Sequence, residues 1–136
     1  MAGMARDAVL DELEQGPFSA ALRLRIEARG EGEVTVRMPF GETILNAGGP
    51  GVPIHGGAIA ALADFAACAA VWTMPQARSS ATISMTVNYT APAVKTDLVA
   101  RARVRRAGKR IASIAVEIRD QQGTLVADAL VTYKIA

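Results

Sequence analysis

The chain has almost none of the cysteines and histidines that build zinc sites and disulfides. Its 136 residues include one cysteine, Cys68, and one histidine, His55. A single cysteine excludes a disulfide within the chain and is typical of the reducing cytoplasm, where we expect this protein to be located. One histidine and one cysteine cannot form a tetrahedral zinc site within one chain, so we expect no metal.

Other signatures of function are also missing. The glycines at positions 48, 49 and 51 are not followed by Gly-Lys-Ser/Thr, so there is no Walker loop, and there is no Gly-x-Ser-x-Gly motif. The N-terminal segment mixes charged and apolar side chains, so we expect no secretory signal. Lys and Arg number 15 against 13 acids, a net charge of +2, which indicates no general affinity for nucleic acid.

The most informative segment begins at His55-Gly56-Gly57 and continues as an apolar run to Trp72 with one charged residue, Asp64. The run has about 16 residues. A bilayer requires ~20, so we expect no membrane insertion. A lone carboxylate in an apolar helix costs free energy, and such a group is rarely there for stability. The two glycines leave backbone N–H groups open to an oxygen-bearing ligand at the helix start.

Most of the remaining chain has the alternating pattern of half-buried strands, after an amphipathic helix over residues 5–15 that Gly16-Pro17 ends. Short turns imply antiparallel neighbours, and a helix apolar on nearly every side must be covered on nearly every side. We therefore predict one α+β domain over residues 1–136. In this prediction, a curved antiparallel sheet of about six strands wraps around one long apolar helix, and there is also a short N-terminal helix. The sheet leaves one face of the long helix uncovered, and we expect another subunit to cover that face. The predicted strands are residues 22–26, 34–38, 82–89, 97–106, 109–119 and 125–135.

This order of elements resembles the hotdog fold, and most closely the acyl-CoA thioesterases of the phenylacetate-degradation and 4-hydroxybenzoyl-CoA type. The similarity extends from about Leu22 to Tyr133. An HGG motif followed by an acid nine residues after its histidine, inside this strand order, is fairly specific to that family. The residues that carry the resemblance are His55, Gly56, Gly57, Asp64, residues 89–93, residues 123–127, Thr132 and Tyr133.

The resemblance implies hydrolysis of an acyl-CoA or aryl-CoA thioester to a free acid and coenzyme A, with water and no cofactor. The backbone N–H of Gly56 would polarise the thioester carbonyl. Asp64 would either activate water or attack the carbonyl directly, and both roles stay open. Two other interpretations are a non-catalytic hotdog protein that binds an acyl-CoA or acyl ligand, and a dehydratase of the same fold.

Helix geometry adds a requirement for a second subunit. Gly56 and Asp64 are eight residues apart. At 1.5 Å per residue they lie ~12 Å apart along one helix, too far to act on the same carbonyl. Two helices related by a two-fold axis can bring one subunit's Asp64 to the other's Gly56. We therefore expect a homodimer, and the resemblance implies that such dimers often pair into tetramers.

Three further residues are candidates for the site. His55 either caps the helix or positions the carbonyl or the loop. Asn46 matches a supporting asparagine upstream of the family's HGG, although the spacing of nine residues to His55 is longer than usual, and a turn asparagine is the alternative. Thr82 lies where relatives often carry a hydroxyl that holds the catalytic water, and an ordinary strand threonine is the alternative.

A basic cluster on one predicted hairpin suits the phosphates of coenzyme A. We predict substrate binding by Arg105, Arg106, Lys109 and Arg110, together with the backbone of Gly57. A solvated hairpin whose charges protect a sheet edge is the alternative, and nucleic-acid binding is a weaker third. The full basic cluster comprises Arg101, Arg103, Arg105, Arg106, Lys109 and Arg110.

Cys68 has only alanines beside it and is interpreted as a core thiol.

Overall fold

In the computed structural model, six antiparallel strands form one sheet against a single long helix. The structure describes residues 2–49 and 51–136, with side chains from residue 6 onward. The sheet order is β1-β2-β4-β5-β6-β3, so β1 and β3 are its edges. The helices are α1 (Ala2–Gln15), α2 (Pro17–Ala21) and α3 (Gly56–Trp72), and the strands are β1 (Arg25–Gly30), β2 (Glu33–Met38), β3 (Ala81–Tyr89), β4 (Leu98–Ala107), β5 (Ile111–Asp120) and β6 (Leu125–Lys134).

The apolar helix α3 lies inside the curve of the sheet, as its composition predicts. It contacts the five strands β2 to β6, and α1 packs on it as well. Eight of its 17 residues are alanine, so the strands approach closely without large side chains between them. The predicted fold class, an α+β sheet wrapped around one helix, is therefore confirmed.

Side-chain alternation places the core on one face of the sheet. On β5, Ile114 and Val116 are fully buried against α3, while Glu117 is exposed on the outer face. Burial of each such aliphatic side chain contributes about 1.5–3 kcal/mol. The register of the whole sheet follows, since a one-residue slip would move this apolar set into water.

The first predicted strand is partly wrong. Residues 22–26 alternate as a strand does, yet a short helix, α2, precedes them and β1 begins only at Arg25. Pro17 has the fixed φ that suits the first turn of a helix, so it starts α2 directly after α1 ends. The chain then turns at Arg23, whose left-handed φ of 57° is accompanied by a hydrogen bond from its Nη2 to the carbonyl of Phe40 at 2.7 Å.

Candidate active site

The start of α3 is closed by the side chain of His55. The Gly57 N–H donates to His55 Nδ1 at 2.8 Å, so His55 is the N-cap of the helix. A Cβ on Gly57 would lie 2.9 Å from that nitrogen, so the cap requires glycine there. The cap interpretation of His55 is therefore confirmed, and one of the two glycine N–H groups is already engaged.

The other glycine presents an N–H without a partner. Among the described residues, none accepts a hydrogen bond from the Gly56 N–H, which lies at the positive end of α3. The Tyr89 hydroxyl donates to the Gly56 carbonyl at 2.7 Å and holds this first turn in place. A cleft of about 380 Å³ opens beside Gly56 and is lined by Pro53, Ile54, Gly56, Ile59 and residues 89–93. The arrangement suits a ligand oxygen that carries partial negative charge.

Two turns further along α3, Asp64 accepts two hydrogen bonds on the same oxygen. Thr82 Oγ1 donates to Asp64 Oδ1 at 2.8 Å, and the Tyr133 hydroxyl donates to it at 2.6 Å. The Tyr133 oxygen also lies 3.0 Å from the Asp64 backbone carbonyl. Oδ2 accepts no hydrogen bond from any described residue. It is also not buried, so it is the Asp64 oxygen that is open to solvent.

A second cleft, of about 290 Å³, lies beside Asp64. Most of its wall is apolar and comes from all three helices, while β3 and β6 supply hydroxyl groups. It shares no lining residue with the cleft beside Gly56. Within one chain, the free N–H and the carboxylate therefore face separate spaces. The lining residues are Leu13, Phe18, Ser19, Leu24, Ala61, Asp64, Phe65, Cys68, Ser80, Ala81, Thr82 and Tyr133.

Cys68 lies one turn beyond Asp64 and lines the same cleft. Burial raises the pKa of its thiol, and the nearby Asp64 carboxylate acts in the same direction. Its Sγ lies 3.6 Å from Ser80 Oγ, which also accepts from Trp72 Nε1 at 3.0 Å. A thiol that is held protonated in this way is a poor nucleophile, which supports its interpretation as a core residue.

Tyr133 is 2% exposed, and burial raises the pKa of its phenol far above the ordinary value, with the neighbouring Cys68 and Asp64 adding to the shift. The hydroxyl therefore stays a donor at any pH at which an enzyme is assayed. In the unfolded chain the phenol ionises near pH ~10. The unfolded state then binds fewer protons than the folded state, so stability falls as the pH rises above that value.

We expect Tyr133→Phe to flatten this alkaline loss of stability. Between about pH 9.5 and 11, the free energy of unfolding of the wild type should fall more steeply than that of the variant. The difference in slope is up to about 1.4 kcal/mol per pH unit for one proton. Urea unfolding at a series of pH values measures both slopes. Equal slopes in the two proteins would show that the phenol ionises as easily when folded as when unfolded.

Asn46 lies beside the approach to the helix. Its N–H donates to the carbonyl of Pro53 at 3.1 Å, next to a single bridge between Leu45 and Ile54. The side chain of Asn46 is exposed and makes no hydrogen bond with the described residues. The structure thus places Asn46 at the base of the loop that leads to His55, and its catalytic role stays a prediction.

The basic cluster divides into two groups. Arg101 and Arg103 lie on the outer face of β4, where Glu117 and Glu33 are their cross-strand neighbours. The other four side chains are exposed around the β4–β5 turn, at the end of the sheet where β3 begins and β6 ends. Arg105 and Arg106 lie in the last part of β4, and Lys109 and Arg110 lie in the turn. That end of the sheet also carries Thr82 and Tyr133, the two donors to Asp64.

No group of three or more His, Cys, Asp or Glu side chains in residues 2–49 and 51–136 is placed to hold a metal ion. None of the helices in the same ranges has both the length and the apolar character to cross a bilayer.

Comparison with known proteins decides the family. Residues 54–127 match the model of the thioesterase superfamily. This range includes the whole of α3, with Gly56 and Asp64. This chain belongs to the thioesterase superfamily. A candidate esterase of Halobacterium salinarum is 34% identical over 100 residues, which cover 71% of this chain and 66% of that protein, just under two thirds of its length.

Solved structures of similar proteins show the same fold. The PaaI protein of the E. coli phenylacetic acid degradation operon is 26% identical, with a TM-score of 0.83 over 99% of this chain and 94% of that one. The TT0310 protein of Thermus thermophilus is 30% identical, with a TM-score of 0.78 over 88% of this chain and 97% of that one. The hotdog fold that the sequence resembles is therefore confirmed.

Sequence reasoning assigned no role to the two tyrosines that complete these sites. Tyr89 and Tyr133 are the only tyrosines in the chain, and each follows a valine two positions earlier on its strand, Val87 or Val131. A buried tyrosine hydroxyl normally has a hydrogen-bond partner, and that rule was the available signal for Tyr133, whereas Tyr89 is 53% exposed and gave no such signal. The identity of the partners, Gly56 and Asp64, depended on the crossing of α3 over β3 and β6.

Proposed function

We propose that this superfamily member hydrolyses acyl-CoA or aryl-CoA thioesters to a free acid and coenzyme A. The arrangement of Asp64 carries the proposal. One of its oxygens is held by Thr82 and Tyr133, and the other is open beside an apolar cleft. A carboxylate fixed in this way beside space for an acyl group is suited to act as a base or nucleophile rather than to stabilise the fold.

The proposed reaction uses Gly56 and Asp64 on opposite sides of the thioester. The Gly56 N–H donates to the carbonyl oxygen and stabilises the negative charge that develops there. Asp64 takes a proton from water, which adds to the carbonyl carbon, or Asp64 itself adds and the resulting anhydride is hydrolysed. In both routes the C–S bond breaks, and the thiolate of coenzyme A leaves and takes up a proton.

The edge strand β3 provides a way to bring these groups together. It begins beside Asp64, through Thr82, and it ends beside Gly56, through Tyr89. A second copy paired antiparallel with β3 about a two-fold axis would reverse this order. Asp64 would then lie near Gly56 of the partner subunit, and each dimer would have two composite sites.

The composition of β3 supports this pairing. Its nine residues, ATISMTVNY, include no charged residue and no proline, although these are the usual means of protecting an edge strand. Ile83 on this strand is 55% exposed. We propose that β3 pairs with its copy in a homodimer, that such dimers associate in pairs, and that the protein is cytoplasmic.

The remaining predicted residues have supporting parts in this proposal. His55 caps α3 and so holds the first turn that presents the Gly56 N–H. Thr82 donates to Asp64 directly and so orients the carboxylate. Gly57 preserves the cap, and Asn46 lies at the base of the neighbouring loop. We propose that the four basic residues around the β4–β5 turn bind the phosphate groups of coenzyme A.

The proposed phosphate contacts can be tested at Lys109 and Arg110 in the β4–β5 turn. Lys109→Gln combined with Arg110→Gln should raise KM for an acyl-CoA about fivefold, as expected for two exposed charge contacts. KM for the same acyl group on pantetheine, which lacks the nucleotide phosphates, should not change. The matched control is Arg101→Gln with Arg103→Gln, which removes the same charge from the outer face and should affect neither substrate. If both double variants raised KM for the acyl-CoA equally, a local phosphate site at the turn would be excluded.

The function itself is tested with a panel of acyl-CoAs of different chain length and with aryl-CoAs, assayed for released thiol. Turnover of at least one member, lost in Asp64→Asn, supports the proposal. Tight binding of an acyl-CoA with no turnover by the wild type would instead identify a non-catalytic binding protein.

A further inference from the structure

We propose that Tyr133 is a positioning residue that determines which oxygen of Asp64 reacts. The inference rests on the proposed function and deepens it. Its hydroxyl and that of Thr82 both donate to Oδ1, at 2.6 and 2.8 Å. Oδ1 is thereby engaged in binding to the protein, and Oδ2 is presented to the cleft as the oxygen that meets water or the thioester carbon.

The two donors are anchored to different degrees. Thr82 is exposed on the edge strand β3, next to the bulge between Thr82 and Ser84. Tyr133 is 2% exposed on β6, an interior strand that pairs with β3 on one side and with β5 on the other. Because β6 is paired on both sides within one chain, Tyr133 is held whether or not a second copy pairs with β3, whereas the restraint on Thr82 depends on that pairing. Tyr133 is therefore the principal donor that fixes the orientation of the carboxylate, and Thr82 is the second.

The contact between Tyr133 and Asp64 also includes the helix. The tyrosine oxygen lies 3.0 Å from the backbone carbonyl of Asp64 as well as 2.6 Å from Oδ1. One hydroxyl thus reaches both the backbone and the side chain of the same residue. The single hydroxyl proton is shared between the two acceptors, and this geometry restrains the rotation of the carboxylate relative to α3 more than a donor to the carboxylate alone would. Small errors in the placement of a reacting group reduce rates strongly.

The test is Tyr133→Phe, which keeps the ring and removes the donor. We expect kcat for the best acyl-CoA of the panel to fall about 10–100-fold, as for loss of one hydrogen bond to a charged group, with KM changed less than about twofold. In an Asp64→Asn background the same substitution should cause no further loss, because the group that it positions has been removed. The matched control is Thr132→Val, which deletes a neighbouring hydroxyl that makes no hydrogen bond with the described residues.

A pair of unnatural residues keeps the test decisive if Tyr133→Phe folds poorly. With 4-aminophenylalanine in place of Tyr133 a donor remains at the same position, and we expect at least half of the wild-type kcat. With 4-fluorophenylalanine the size is similar and the donor is absent, and kcat should fall as for Tyr133→Phe. Melting temperatures and circular dichroism verify folding in each case.

The inference is overturned if the folded Tyr133→Phe protein keeps the wild-type kcat, if its loss lies in KM, or if the loss persists in full on the Asp64→Asn background. Failure of the proposed function is distinguishable, since the wild type itself would then release no thiol from any member of the panel.

Discussion

Asp64→Asn should lower kcat for acyl-CoA hydrolysis by about 10³–10⁴-fold, the scale expected for loss of a general base or a covalent nucleophile. The amide has nearly the shape of the carboxylate, and its oxygen can still accept from Thr82 and Tyr133. The fold is therefore retained while the basic oxygen is lost. Release of thiol from the best acyl-CoA of the panel measures the effect.

A matched control separates this loss from a general effect of charge. Asp11 is an exposed aspartate of α1 that forms no hydrogen bond or ion pair with the described residues. Asp11→Asn removes the same charge and should keep kcat within about twofold, as surface substitutions usually do. Hydrolysis by Asp64→Asn at the wild-type rate, with its melting temperature unchanged, would exclude Asp64 from the reaction.

The second large effect concerns the backbone N–H of Gly56. Gly56→Pro removes that N–H, and proline is well tolerated at the first position of a helix. The preceding residue, His55, has an extended backbone with ψ 132°, which suits a residue before proline. We expect kcat to fall about 10²–10³-fold, as for loss of one oxyanion donor.

Gly56→Ala is the control for the added carbon atoms. A Cβ at this position would lie 3.4 Å from the ring of Tyr89, so both variants share that contact. Alanine keeps the N–H, and its kcat should therefore exceed that of the proline variant by at least about tenfold. Equal losses in the two variants would assign the effect to crowding against Tyr89 rather than to the missing donor.

The same two variants test whether the site is shared. In a mixed dimer of Asp64→Asn and Gly56→Pro, a composite site forms one wild-type pair and one doubly altered pair. Equal mixing after unfolding and refolding should restore about a quarter of the wild-type activity, because about half of the dimers are mixed and each has one intact site. Activity that stays at the level of the separate variants would place both groups in one chain.

Most of the architecture was predictable because it depends on local composition. The two-residue period of β4 to β6 and the apolar run of α3 each allow one way of burying side chains, and the short turns make the neighbours antiparallel. Residues 22–26 show the limit of this reasoning. Their alternation is compatible with a strand, but Pro17 starts a helix just before them and Arg23 turns the chain, so β1 begins only at Arg25.

The candidate site was predictable only in part. Asp64 was identifiable because a lone acid in an apolar helix is costly, and Gly56 because a glycine at a helix start leaves a donor accessible. Gly57 could not be told apart from Gly56, since the engagement of its N–H depends on the rotamer of His55. Tyr133 is 69 residues from Asp64, so no local pattern relates the two.

The sequence by itself determined that one apolar helix carrying Asp64 is wrapped by an antiparallel sheet, because periodicity and the cost of exposing apolar surface are properties of each segment. Only the tertiary structure decided that Oδ1 is held by two hydroxyls, that Oδ2 is open, and that Gly56 and Asp64 face separate clefts. Those features depend on the angle and depth at which α3 crosses β3 and β6, which are set by packing between segments far apart in the chain.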